Sequence, residues 1–194
     1  MKDVASEISA LFVERGVGEL VRLPVTHPYS VTVPSPGTRF VLYTTKPACV
    51  LNTLEQGGGL ASMQVVGRAG LPNEDDAAWL RTLARDRAVL FLGDADPADL
   101  LVFAWLRSRI PLSHVGVSDL LVQKLGARVE DFTTIPLADD ERTAVSLMAN
   151  LCPDYRAVVG PQCADLLDRG RKIEMEAVIN FIPGRVLLKD AINR

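Results

Sequence analysis

Apolar residues recur along this chain in two rhythms, short continuous runs and helical spacings, and the two alternate most regularly between residues 40 and 107. Phe40-Val41-Leu42-Tyr43 is a short apolar run that predicts a strand, Pro47 suits a first helical turn, and Gly57-Gly58-Gly59 ends that unit. Met63-Gln64-Val65-Val66 predicts a second strand ending at Gly67. Asn73 then caps a helix that places Ala77, Leu80, Leu83 and Ala84 on one face. Ala88-Val89-Leu90-Phe91-Leu92 has the unbroken apolar character of a central parallel strand covered on both faces, and a helix from Ala98 to Arg107 follows it. Three consecutive strand-helix units predict an α/β fold, a Rossmann-like parallel sheet of about four strands flanked by helices.

The pattern changes on either side of these units. Residues 3 to 15 carry Val4, Ile8, Leu11 and Phe12 at helical spacing before Gly16 and Gly18. Pro24, Pro28, Pro34 and Pro36 then surround Val31-Thr32-Val33, which reads as an edge strand or extended lead-in. Residues 1–38 are therefore a helix and a proline-rich lead-in to a domain over 39–194. A fourth strand is expected near His114 to Val117, followed by a helix capped by Ser118 or Asp119 and ending near Gly126. The rest reads as helical. Expected helices start at Asp139 or Asp140 and run to Asn150, start at Pro153 and run towards Asp168, span Arg171 to Phe181, and follow Pro183-Gly184.

Composition narrows the setting. Of 194 residues, 48% are hydrophobic and 23% charged, which suits a globular chain and not a disordered one. A net charge of −3 and a pI near 5.4 give no global basic field, so nucleic-acid binding requires a local patch or a partner. Cys49, Cys152 and Cys163 form no C-x-x-C pair, and His27 and His114 are the only histidines, which argues against a zinc site or a disulfide framework. Without a basic, apolar leader or an apolar run of about 18 residues, the expectation is a cytoplasmic protein with no membrane partner.

The loop Gly93-Asp94-Ala95-Asp96-Pro97 carries the main candidate chemistry, because it closes the central strand at its carboxyl end, where open parallel sheets bind ligands. Asp94 and Asp96, two residues apart on extended chain, point the same way and suit a hard cation such as Mg2+. The alternative makes Asp94 a turn residue and Asp96 a helix N-cap before Pro97 at the first helical position. Asp99 completes no calcium loop, since the required glycine and distal glutamate are missing, and as the third residue of the helix it reads as a charge stabilising the positive helix end. Arg68, in Gly67-Arg68-Ala69-Gly70-Leu71-Pro72, either meets a phosphate at the same sheet edge or is a solvated turn residue. His114 has no Ser or Cys motif beside it and reads as a packed or solvated histidine. Arg171 to Ile179 reads as a structural helix with local ion pairs.

In order along the chain, Val41-Leu42-Tyr43-Thr44-Thr45-Lys46, the Gly67 to Pro72 loop, the Gly93 to Pro97 loop, Val117-Ser118-Asp119-Leu120, Pro136 to Glu141 and Gly170 to Ala177 resemble the Toprim domain. The relevant type is that of the topoisomerase VI A subunit, its meiotic double-strand-break relatives and the Wadjet nuclease subunit. The resemblance implies that Asp94 and Asp96 correspond to Mg2+ ligands. It also implies a third ligand, a glutamate, at the position occupied here by Thr45. Glu55, about 15 Å further along a helix, is no replacement. The family's winged-helix domain, which bears the DNA-cleaving tyrosine, does not fit in about 38 residues, and Tyr29 lies in the proline-rich stretch.

The expectation is thus a stand-alone, divergent Toprim-like accessory or binding module for DNA transactions with a degenerate Mg2+ site, reaching DNA through a partner complex. The resemblance also implies a homodimer. The alternatives are a Mg2+-dependent nuclease or phosphoryl-transfer enzyme completed by a partner, and a protein-interaction scaffold.

Overall fold

A computed structural model describes residues 29–30, 39–50, 63–68 and 71–181. The expected helix over 3–15, the extended segment at 31–33, the Gly57 to Gly59 terminator and the short helix after Pro183-Gly184 lie outside the described residues.

The apolar runs form the sheet. β1 (Tyr29–Ser30), β2 (Phe40–Thr44), β3 (Met63–Gly67), β4 (Ala88–Leu92) and β5 (Leu112–His114) lie in the order β1-β3-β2-β4-β5. β2 to β5 are mutually parallel where they pair, and β1 runs antiparallel along β3. β2 and β4 are in register from Phe40 opposite Ala88 to Thr44 opposite Leu92, so Thr45-Lys46 and Gly93-Asp94 leave the sheet side by side. The chain moves to one side from β2 to β3 and to the other from β3 to β4. The switch point of this Rossmann-like sheet therefore falls between the carboxyl ends of β2 and β4, where such folds open a ligand crevice.

α1 (Glu74–Ala84) starts at Asn73, whose side chain accepts from the Asp76 N–H while Asp76 accepts from the Asn73 N–H, a closed capping box. α2 (Pro97–Arg107) is capped by Asp96 with Pro97 in its first turn. It is buried on nearly every side: Leu100, Leu101 and Ala104 join one core, and Val102, Phe103, Trp105 and Leu106 join the other. The loop that starts this helix is consequently held from both faces of the sheet.

The fourth strand is displaced from its expected place. It covers Leu112–His114, and Val115 and Val117 then donate to the carbonyls of Phe91 and Gly93, so the segment after the strand follows β4 out to the acidic loop. α3 (Asp119–Lys124) follows its Ser118 cap.

The C-terminal part is mainly helical, and it departs from expectation in three places. β6 (Ile135–Pro136) pairs antiparallel with β7 (Arg171–Lys172), and α4 (Asp139–Leu151) lies between them in sequence. The helix expected from Pro153 to Asp168 is two helices, α5 (Tyr155–Val159) and α6 (Pro161–Asp168). They part at Gly160, whose φ of 86° precedes a proline with no N–H to donate. The helix expected from Arg171 begins only at α7 (Met175–Phe181). Buried Ile173 and Met175 with less buried residues between them follow the period of extended chain, and Ala95 bridges Ile173.

Candidate functional site

Three strand-end segments meet at the switch point. Thr45 and Lys46 follow β2, the acidic loop follows β4, and residues 171–175 cross beside that loop. The loop is packed too tightly for a side chain at Gly93, where a Cβ would come 2.6 Å from Asp99 Oδ2 and 2.7 Å from the Phe91 ring. Gly116 closes the other side, its own missing Cβ falling 2.3 Å from the Gly93 carbonyl oxygen.

Asp94 has no exposed surface. Its Oδ1 accepts from the Met175 N–H at 2.7 Å, and its Oδ2 lies 2.6 Å from Lys46 Nζ. Asp96 accepts from the Asp99 N–H through Oδ1 at 2.8 Å, as the N-cap of α2, and its Oδ2 stands 3.8 Å from Lys172 Nζ. Lys172 is also 2.6 Å from Glu141 and 3.4 Å from Glu174. The two aspartates therefore face different ammonium groups.

Asp99 lies in the first turn of α2, as its position implies, and is buried there. It is 7% exposed, and its Oδ2 accepts from the Asp94 N–H at 2.6 Å and from the Thr45 hydroxyl at 2.9 Å. The loop turns back over the first turn of α2, which places the third helical residue under it. Thr45 thus binds the acidic loop through a neutral hydroxyl.

Burial dominates the electrostatics. It raises the Asp94 pKa to about 6, helped by the neighbouring Asp96 and opposed by Lys46 and the Met175 N–H. Burial likewise raises Asp96, against the Asp99 N–H and Lys172. Asp99 is raised well above the usual carboxylate range by burial and by the charges of Asp96 and Asp94. Burial works against the charges of Lys46 and Lys172, yet Asp94 outweighs it at Lys46, and Glu141 and Asp96 outweigh it at Lys172, so both ammoniums are held above their usual value. The cluster thus comprises two ammoniums, Lys46 and Lys172, and a carboxyl, Asp99, that holds its proton more tightly than an exposed aspartate does.

This donor set does not suit Mg2+, which takes oxygen ligands in near-octahedral array and keeps several waters. An ammonium already stands at bonding distance from Asp94 Oδ2, Asp94 Oδ1 and Asp96 Oδ1 accept from backbone N–H groups, Asp99 Oδ2 accepts from an N–H and a hydroxyl, and Asp96 Oδ2 faces the Lys172 ammonium. Among the described residues no three His, Cys, Asp or Glu side chains converge to hold a metal.

Arg68 is not solvated. It is 5% exposed, its Nη1 lies 2.9 Å from Asp76 Oδ2, and its Nε donates to the Leu71 carbonyl at 2.8 Å, so the guanidinium ties β3 to the start of α1. His114 stacks on Phe91 with centroids 5.9 Å apart and meets Phe103 edge-on at 5.2 Å. Burial and Arg107 lower its pKa to about 4, and it is a neutral member of an aromatic row.

Lys46 and Lys172 are the site residues that sequence reasoning missed. Lys46 was accessible to it, since it follows Thr45 at the carboxyl end of β2. Lys172 was not, because its approach depends on the two-residue pairing of β6 with β7.

Comparison with protein-family models and with curated proteins finds no match for the chain. No described helix is long and apolar enough to cross a membrane.

Proposed function

We propose that this protein is a divergent, Toprim-like accessory or binding module in DNA transactions, whose acidic site is neutralised by its own lysines instead of by Mg2+. The reading rests on the order of the sequence landmarks, on the acidic loop standing at the switch point, and above all on one contact. Lys46 Nζ lies 2.6 Å from Asp94 Oδ2 where the resemblance would place a metal ion, and the neighbouring Thr45 supplies a hydroxyl where it would place a carboxylate. An ammonium neutralises Asp94 but offers no open coordination position to water or phosphate, so it replaces the structural effect of a cation without its Lewis acidity.

The test is incubation with supercoiled plasmid in Mg2+ or Mn2+, together with a retention assay on the same DNA. The expected result is retention without nicking, with affinity falling steeply as salt rises. Nicking that disappears in Asp96→Asn would instead establish the metal-dependent nuclease reading. Failure to retain DNA at low salt would favour the interaction scaffold.

A further inference from the structure

The amino edge of the sheet, opposite the acidic loop, has a charge character of its own. Helices between parallel strands run back antiparallel to them, so α1 and α2 both end at this edge and the strands β2 and β4 begin there. Arg39 precedes β2, Arg81 and Arg85 end α1, Arg87 precedes β4, and Arg109 follows α2. Hydrogen bonds to backbone carbonyls bring these segments together: the Ala88 N–H donates to the Arg39 carbonyl at 3.2 Å, the Arg85 N–H to the Arg81 carbonyl at 3.1 Å, and Arg81 Nε to the Arg109 carbonyl at 3.1 Å. Arg109 is paired with Glu74 and lies over the Trp105 ring, and Arg87 donates to Gln64. Arg39, Arg81 and Arg85 are exposed and have no carboxylate partner among the described residues.

Arg85 adds an independent observation. Its φ of 34° makes it the only non-glycine residue with positive φ among the described residues. Glycine adopts this region without penalty, whereas a side chain is strained there, and such strain concentrates at positions where the side chain has work to do.

We infer that Arg39, Arg81 and Arg85 form a docking edge for the sugar-phosphate backbone of duplex DNA. Planar guanidinium forks match phosphate oxygens in pairs. Among the described residues these segments carry no exposed large hydrophobic, since those are Leu120 and Ile135, both elsewhere, and the exposed carboxylate they contain is Asp86, set among the arginines. A protein partner or a membrane surface would ordinarily require an apolar anchor, while a polyphosphate backbone read without regard to sequence does not. Strands of five residues place this edge about 16 Å from the acidic loop, so bound phosphates avoid its carboxylates. The inference deepens the DNA reading and rests on it, adding that DNA is held at the end of the sheet remote from the acidic loop.

The test measures binding of a fluorescein-labelled 24-base-pair duplex by anisotropy across a salt series, for the wild type, Arg39→Ala/Arg81→Ala/Arg85→Ala and the corresponding triple lysine variant. The expected result is at least a tenfold loss in the alanine variant, with the slope of log K against log salt reduced by about 3, roughly one for each phosphate no longer neutralised. The lysine variant retains most of the affinity. Arg85→Gly separates a binding role from a structural one, since it relieves the backbone and is expected to raise Tm while weakening binding. Wild-type binding that the alanine variant leaves unchanged would overturn the arginine edge and leave the DNA reading intact. No wild-type binding at low salt would overturn both. Tighter binding to phosphatidylserine vesicles or to polyglutamate than to the duplex would overturn the choice of DNA.

Discussion

The Lys46 ammonium stands 2.6 Å from a carboxylate oxygen of Asp94, a side chain with no exposed surface. This pair joins the carboxyl ends of β2 and β4 at the switch point of the sheet, and the Met175 N–H fixes the other oxygen of the same carboxylate. Above the pKa of Asp94, removing this cation would leave a buried carboxylate without its charged partner.

Lys46→Met therefore destabilises the protein in a pH-dependent way. Breaking a fully buried pair costs about 3–5 kcal/mol. With 27% of the Lys46 side chain exposed, solvent screening reduces this to roughly 2–3 kcal/mol at pH 8. At pH 5, Asp94 is protonated in either form and the cost shrinks. Urea unfolding at the two pH values measures the difference, and equal losses at both would contradict the pairing.

The pH dependence of Asp94 has a definite sign. Its folded pKa of about 6 lies above an unfolded value of about 3.9, so the native state binds the proton more tightly. Its contribution to stability is greatest below pH 4 and declines as pH rises through 6, by at most roughly 3 kcal/mol at about 1.4 kcal/mol per unit. Subtracting the unfolding free energy of Asp94→Asn from that of the wild type isolates this contribution. The difference is expected to fall between pH 4 and 6 and level off above, and a difference that rises over this window would refute the raised pKa.

Gly93→Ala tests the closure of the loop. The new methyl would meet Asp99 Oδ2 and the Phe91 ring, both buried, so the loop must move away from α2. The expected cost is about 1–3 kcal/mol, the usual range for overpacking. In amide exchange, the Asp94 N–H that Asp99 now holds should lose protection.

Much of the sheet was legible because β2, β3 and β4 are continuous apolar runs and α1 has a capping box within four residues, both of which are local signals. The acidic loop was legible as a position for the same reason. Its neutralisation was not, since it depends on contacts over 54 residues from Thr45 to Asp99 and 81 residues from Asp94 to Met175. Residues 172 to 175 alternate polar and apolar in sequence, but too briefly to set them apart from the helix that follows, and their extended register is fixed by Pro136 and Ala95, far away along the chain. The inward turn of Arg68 was hidden likewise, as its partner Asp76 also serves the cap of α1.

Calorimetric titration of Mn2+ into the wild type, Lys46→Ala and Asp94→Asn tests the central claim most directly. An ammonium that occupies the cation position predicts no saturable binding to the wild type at submillimolar Mn2+, and binding that tightens in Lys46→Ala when the competing charge is removed. Stoichiometric Mn2+ binding to the wild type that Asp94→Asn abolishes would contradict it.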